Sequence, residues 1–446
     1  MISIEVCCNR EHLHSLLGFY CAVEVGCQEA RLKKILASFR RLAALPMHVH
    51  ALVFGAFFIS GSLSMSIPYL SFRVAETGNA SSLVTGIVLA SSAFVWSIVG
   101  FWTGGLSDRF GRRTLILTAM ALSAAAYAGL GFASSIPAFL LLNASVGFAK
   151  ALFDPSWQAL LAEVTKPEDK PLVFSFRYLA SNAGFAIGPI VSFWFQSANP
   201  ASVFFVTAGV YVAFGIVLAK VLPAPKIIST ARTIATRNDS RLSTLASNRS
   251  LLVHVVAGAA IAFVFSQIQS TLPLHLNRII PNAVALYSLL LSVRGIATIT
   301  LQLFAPAVLT RAGSRRTLAF GALLYAVGFL LFALGGGTVA VLVAGAVCCA
   351  AGEAISVPAG IDLVDSLAGS ENKGRFLGAA QLKYLGFFIG PVVGGWLLDG
   401  FGGAKGPGGT VALFVCAAAA LGASLLYWFG VERVRVQKFG ALVETL

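Results

Sequence analysis

Gly104-Gly105-Leu106-Ser107-Asp108-Arg109-Phe110-Gly111-Arg112-Arg113 stands between two long apolar runs in a chain that is mostly apolar. A loop on the positive side of a membrane accounts for the arginines. It does not account for the paired glycines, the aspartate and the central Gly111 together. Paired glycines let two membrane helices approach closely. Asp108 suits a helix N-terminus, where a carboxylate accepts free N–H groups and meets the positive end of the helix dipole. The arginines can pair with acids on a neighbouring helix and hold the loop in water.

Working outward, the composition fixes the class. Of the 446 residues, 57% are hydrophobic and only 11% charged, against about 25% charged in soluble domains. The net charge of +14 raises nucleic-acid binding as an idea, but the positive residues cluster in loops on one side. The seven cysteines form no recognisable disulfide or zinc framework, and Cys348 and Cys349 lie inside an apolar run as core residues. No Walker loop, metal cluster or nucleophile constellation is present, so neither ATP coupling nor catalysis is expected. No cofactor and no metal are implied.

Runs of about 20 apolar residues predict twelve membrane helices, at Val49–Phe72, Ser81–Thr103, Thr114–Phe132, Pro137–Leu160, Leu172–Phe195, Ala201–Leu222, Leu251–Leu274, Ala283–Leu309, Thr317–Leu334, Thr338–Ile361, Phe376–Leu398 and Thr410–Phe429. Each is continuous and too long for a barrel strand. The expected fold is an all-α membrane protein of two pseudo-symmetric six-helix bundles, residues 47–222 and 251–430. A polar linker, 223–250, joins them; an extension, 1–46, precedes them and a tail, 431–446, follows. With the N-terminus inside, and Arg177 and Lys220 counted at the inner interface, 26 Lys and Arg fall on the cytoplasmic side. Arg73, Arg278 and Lys405 alone fall outside, and Lys150, Arg294 and Lys383 lie within spans. Both termini are therefore expected in the cytoplasm, with the chain in the cell (inner) membrane. Within the extension, Ala30–Leu45 reads either as a basic amphipathic helix on the inner leaflet or as an unstructured stretch ahead of Met47.

The two halves repeat. Gly111-Arg112-Arg113-Thr114-Leu115 recurs as Ser314-Arg315-Arg316-Thr317-Leu318, 203 residues on, and Pro155 and Lys170 recur as Pro358 and Lys373 at the same spacing. Gly184-x-x-x-Gly188-Pro189 recurs as Gly386-x-x-x-Gly390-Pro391, and Pro68 as Pro273. Such duplication places a substrate site between the halves near mid-membrane.

The stretch 104–113 resembles the cytoplasmic loop signature of the major facilitator superfamily, and the resemblance extends from about Val49 over most of the chain. Three further stretches, Ala162-Glu163 to Gly188-Pro189, Phe265 to Leu276, and Gly352-Glu353 to Gly390-Pro391, resemble the drug:proton antiporter group, multidrug and lincosamide exporters among them. The Gly-Pro pair of the fifth span is similar to the antiporter motif, with Val191-Ser192 where that motif wants glycines. The resemblance implies a cytoplasmic gate of Gly104, Gly105, Asp108, Arg109, Gly111, Arg112 and Arg113 with Glu163. It also implies that Glu353 contributes to proton coupling and that Lys383 matches a lysine of that group. Where those exporters carry an acid in the seventh span, this chain has Gln269, and near the level of their fourth-span arginine it has Asn143.

Ionisable residues within spans are functional candidates because they cost several kcal/mol unless paired or hydrated. A carboxylate in a low-dielectric cavity is either paired or protonated. Glu353 is the leading proton carrier and Asp154 the second. Lys150 is the repeat-mate of Glu353, so Lys150 or Lys383 is its expected partner, with an i,i+4 pair between Lys150 and Asp154 as the alternative. Arg294, Gln267, Gln269, Phe153 and Trp157 complete the expected substrate cavity, and Phe185, Trp194, Phe263 and Phe265 are further aromatic candidates. Arg177, with Tyr178, reads as interfacial.

The function these features imply is proton-coupled export of small amphipathic or drug-like molecules by alternating access. The alternatives are a carrier of an anionic or sugar-like metabolite, siderophores included, and a transport-dead receptor or lipid scramblase on the same fold. The expected partners are a small-molecule substrate, protons and membrane lipids, with no nucleic acid, and the expected state is a monomer.

Overall fold

The computed structural model describes residues 43–166, 168–196, 201–222, 245, 247–281, 283–302, 304–368, 376, 379–401 and 407–431; at 68, 79, 100–109, 171, 193–194, 196 and 306–307 it describes the backbone alone. The expected amphipathic helix at 30–45 lies outside the described residues except for 43–45, as does the linker stretch 223–244.

Helices dominate because a backbone in hydrocarbon must satisfy its own N–H and C=O groups. They are α1 Met47–Glu76, α2 Ser82–Phe110, α3 Arg112–Phe132, α4 Ile136–Val164, α5 Lys170–Gln196, α6 Ser202–Val221, α7 Arg249–Gln269, α8 Ala283–Gln302, α9 Ala305–Leu334, α10 Val339–Ala368, α11 Leu385–Gly400 and α12 Gly408–Leu425. Ten candidate membrane spans among the described residues are long and apolar enough by length and composition. The two helices outside that set are α5, whose sequence carries Ser175, Arg177, Ser181 and Asn182, and α11, which has only 16 residues. Both lie where the two halves meet.

The spans differ from the sequence expectation in three places. The seventh breaks at Ser270 and continues as a short helix, Thr271–Ile279. Pro273 explains the break, since its ring clashes with the carbonyl four residues earlier, that of Gln269. The eighth and ninth run together over Ala305–Leu334, but Gly313 at φ 76° divides that stretch into two helices, so residues 305–312 end the eighth span and residues 314–334 form the ninth. The eleventh starts late, at Leu385, behind a 3-10 turn at Gln381–Tyr384.

Packing follows the duplication. In the first half α1 lies on α5 and α6, and α4 on α2 and α3; in the second, α9 lies on α10 and α12, and α7 on α11. The halves meet chiefly through α2 on α11 and α5 on α8. The antiporter-like glycines work within each half. A Cβ on Gly184 or Gly188 would collide with the α1 backbone at Phe57 and Gly61, and one on Gly386 or Gly390 with α7 at Ala259, Phe263 and Ser266.

The structure also corrects the register of the repeat at the loop signature. Gly111 turns the chain between α2 and α3 at φ 82°, and Gly313 does the same at φ 76°. A left-handed turn is nearly cost-free only for glycine, so Gly111 corresponds to Gly313 and not to Ser314.

Candidate functional site

Between the halves lies a cavity of about 420 Å³, within the range of small-molecule sites. Its wall draws on one face of each of four helices, within 56–63 of α1, 150–158 of α4, 177–185 of α5 and 294–298 of α8, together with Trp96 of α2, Phe265 and Glu353. These positions run from the middle of the helices toward the side on which α1 begins, here the terminus side. Beyond Arg294, toward the far side, the space narrows to about 10 Å³ lined by Ser64, Ile67, Phe185, Gln269, Leu291 and Gly295.

One ion pair crosses the second-half wall. Arg294 of α8 donates from Nη2 to Glu353 Oε2 of α10 at 2.6 Å, with side-chain exposures of 8% and 17%. The Arg294 guanidinium also lies over the Phe265 ring, 4.6 Å from its centroid, a cation–π contact strengthened by desolvation. Arg294 Nε is buried without a partner. Neither Lys150 nor Lys383 pairs with Glu353. Lys150 is occupied on its own helix, Nζ 2.8 Å from Asp154 Oδ2, and lies over Trp96 at 4.9 Å. Lys383 belongs to the 3-10 turn ahead of α11, its stem against Gly258 of α7, and it does not line the cavity.

The other expected cavity residues divide. Phe153 and Trp157 form a tilted ring pair with centroids 4.8 Å apart in the wall. Gln269 borders the narrow far-side space. Gln267 is turned away and fully buried, donating to the Gly390 carbonyl of α11 at 2.6 Å and accepting from Thr271; it ties α7 to α11. Asn143 holds α4 to α2, donating to the Val88 carbonyl at 2.7 Å. Phe185 and Phe265 line the cavity, Phe263 packs against the second-half core, and the Trp194 side chain lies outside what is described.

Arg177 and Tyr178 of α5, expected at the interface, instead line the wall, and with them stand Ser181, Asn182, Trp96 and Thr298, which the sequence did not single out. Arg177, Ser181 and Phe185 are spaced four apart, so one helix face is polar then aromatic; that periodicity was readable. Asn182 donates to Gln302 of α8 at 3.2 Å, a bond between the halves.

At the terminus-side corner, the side chains of Gly104, Gly105, Asp108 and Arg109 lie outside the described residues. The remainder of the expected gate is built as a clamp. Arg112 Nη1 donates to Glu163 Oε2 at 2.6 Å and to the Ala159 carbonyl at 2.9 Å, and Arg113 Nη2 to the Ala219 carbonyl at 2.5 Å. The second half repeats the scheme one residue after its own turn glycine. Ser314 donates to Asp362 on α10, the repeat-mate of Ala159, and Arg315 donates to the Val431 carbonyl at 3.5 Å, just past α12.

The far side is tied across the halves. Asp399, at the end of α11, accepts from the amides of Ser82 at 3.0 Å and Leu83 at 2.8 Å, which open α2. Arg278 lies 3.7 Å from Asp399 and donates to Ser82 Oγ at 2.7 Å. Burial pushes the Asp399 carboxyl up, but its hydrogen bonds with the Leu83 and Ser82 amides and the Ser82 and Ser81 side chains outweigh this and hold it below the usual range.

The Major Facilitator Superfamily profile matches residues 52–280 and 281–444. The chain is 30% identical over 359 residues to the uncharacterised MFS-type transporter YqjV of Bacillus subtilis (strain 168), covering 79% of this chain and 87% of that one. It is 27% identical over 344 residues to multidrug resistance protein MdtH of Salmonella typhimurium, covering 74% and 82%. Among solved structures it is similar to the nucleoside transporter NupG, with TM-score 0.72, 13% identity and coverage of 86% and 98%. It is also similar to a bacterial homologue of the human lysosomal transporter Spinster in an inward-facing and occupied conformation, with TM-score 0.67, 14% identity and coverage of 86% and 96%.

Proposed function

The chain belongs to the Major Facilitator Superfamily and is an integral membrane transporter of small molecules, and from that premise we propose that it is a proton-coupled exporter of small amphipathic organic molecules. The observation that carries this reading is the Arg294–Glu353 pair in the cavity wall between the halves. A buried ion pair is costly to dehydrate, and losing one partner's charge leaves the other uncompensated. Proton arrival on Glu353 therefore releases Arg294 from its 2.6 Å contact and changes the cavity's charge at the point a substrate reaches. Proton departure restores the pair. Exchange follows when the two compete, the substrate being held best while the pair is closed and released when a proton opens it, as the halves alternate.

The excess of Lys and Arg in the terminus-side loops orients both termini to the cytoplasm of the cell (inner) membrane, so the cavity occupies the cytoplasmic half and the Asp399 tie closes the outer side. In the opposite state, Asp108 with Arg112 and Glu163 holds the cytoplasmic ends together. Export is supported by the resemblance to drug antiporters and by the multidrug resistance name of the relative at 27% identity. The test is purified protein in proteoliposomes containing a pH-sensitive dye, with an imposed pH gradient and a panel of amphipathic compounds. The proposal expects proton movement that starts on addition of a compound and compound movement against its gradient. Compound flux indifferent to the pH gradient would overturn proton coupling.

A further inference from the structure

The cavity has a charge asymmetry that the proton site does not use. Among its described lining residues the ionisable Lys, Arg, Asp and Glu are Lys150, Asp154, Arg177, Arg294 and Glu353. Four of them form two pairs, Lys150 with Asp154 and Arg294 with Glu353. Arg177 is left over. Among the described residues it forms no ion pair, its Nε is buried with no hydrogen-bond partner, and the acid whose charge acts on it is Asp154, already paired with Lys150 on α4. A buried, unpaired guanidinium donor is expensive, and a planar fork of N–H donors suits a carboxylate better than any other side chain does. The same wall supplies aromatic surface, with Phe153 and Trp157 adjacent on α4 and Phe265 across the cavity.

We infer that Arg177 is the counter-charge for the transported molecule, which is an amphipath with one anionic group, such as a carboxylate, on a flat apolar body. The inference rests on the reading of this cavity as the substrate site. The anion sits on the α4–α5 wall between Arg177 and Lys150, and the rings sandwich the body. The proton is taken on the opposite α8–α10 wall, so substrate charge and proton charge are read by different halves of the protein.

The experiment uses the full-length protein in lipid nanodiscs and three probes sharing one ring system: 2-naphthoate, the neutral 2-naphthamide and 2-naphthylmethylammonium. Binding of naphthoate with a Kd at least tenfold below that of the amide, and weakest binding by the ammonium, is expected for the wild type. Arg177→Gln should erase the gap between naphthoate and amide, whereas Arg177→Lys should keep most of it, which separates lost charge from lost folding. Equal binding of all three, binding of none, preference for the ammonium, or a preference unchanged in Arg177→Gln overturns the inference. In Glu353→Gln the naphthoate preference should survive while gradient-driven flux is lost. A preference that vanishes in Glu353→Gln overturns the Arg177 assignment alone. An intact preference in a wild-type protein that moves no protons overturns the proton-coupling proposal alone.

Discussion

Residues 150 and 353 occupy equivalent places in the two halves, yet their surroundings differ in kind. Lys150 closes its ion pair within one helix, with Asp154 a turn away and side-chain exposures of 39% and 24%. Glu353 closes its pair between two helices, with Arg294, at exposures of 17% and 8%. A pair within one helix moves with that helix and is wet enough that its partners separate cheaply. A dry pair between helices depends on their spacing and on the charge of both partners. The duplication therefore produced one local pair and one that reports on both proton and conformation, and in our account only the second drives transport.

The largest effect belongs to Arg294→Ala, which leaves Glu353 without its counter-charge in a largely buried wall. Breaking a buried pair costs about 3–5 kcal/mol, so thermal unfolding of the detergent-solubilised protein should shift down by several degrees. Adding Glu353→Gln should recover much of the loss, because a neutral amide needs no counter-ion. A double mutant as unstable as Arg294→Ala would show that the arginine stabilises by packing on Phe265 and not through charge.

Next in size is the far-side tie. Hydrogen bonds to a charged group are worth about 1.5–3 kcal/mol each, so Asp399→Asn should speed amide exchange at Ser82 and Leu83 by roughly tenfold or more. The pH dependence has a defined sign. The carboxyl's range is lowered in the tied state, so the tie is at full strength above the ordinary carboxylate range and is lost as pH falls through the lowered one. Arg278, the charged group facing Asp399 from the continuation of α7, keeps its charge throughout. Wild-type exchange at these amides should therefore accelerate in acid, beyond the intrinsic pH dependence of amide exchange, and Asp399→Asn should show no such step. An identical step in the variant would assign the acid response to another group.

The smallest effect is expected at the local pair. Asp154→Asn removes an i,i+4 contact worth about 0.3–0.5 kcal/mol and should leave stability within a degree or two and gradient-driven flux within a few-fold of wild type.

The same contrast between local and cross-helix features decides what was legible in the sequence. The helices and the two halves could be read directly, because apolar length and loop charge are local. The break at Ser270 was not, although Pro273 was in view, because proline is tolerated inside several other helices here, such as α4 at Pro155 and α5 at Pro189. The repeat was misregistered by one residue at the loop signature. Side-chain identity aligned the arginines, whereas the backbone aligned the glycines that must turn left-handed. Glu353, Arg294, Lys150 and Asp154 were recognisable as cavity residues by their cost in an apolar run. The Lys150–Asp154 pair stood among the alternatives because i,i+4 spacing is local, whereas the Arg294–Glu353 pair did not, since it depends on which helices touch. Lys383 and Gln267 were expected in the cavity, but Lys383 lies with its stem against Gly258 of α7 and Gln267 donates to the Gly390 carbonyl of α11.

Gradient-driven accumulation by Glu353→Gln, measured beside Asp154→Asn in proteoliposomes under the same imposed pH gradient, tells the pair between helices from the pair within one. Glu353→Gln should abolish uphill accumulation while still permitting exchange or downhill flux, and Asp154→Asn should still accumulate substrate. Full-rate uphill transport by Glu353→Gln, with its loss in Asp154→Asn, would place the proton on the local pair instead.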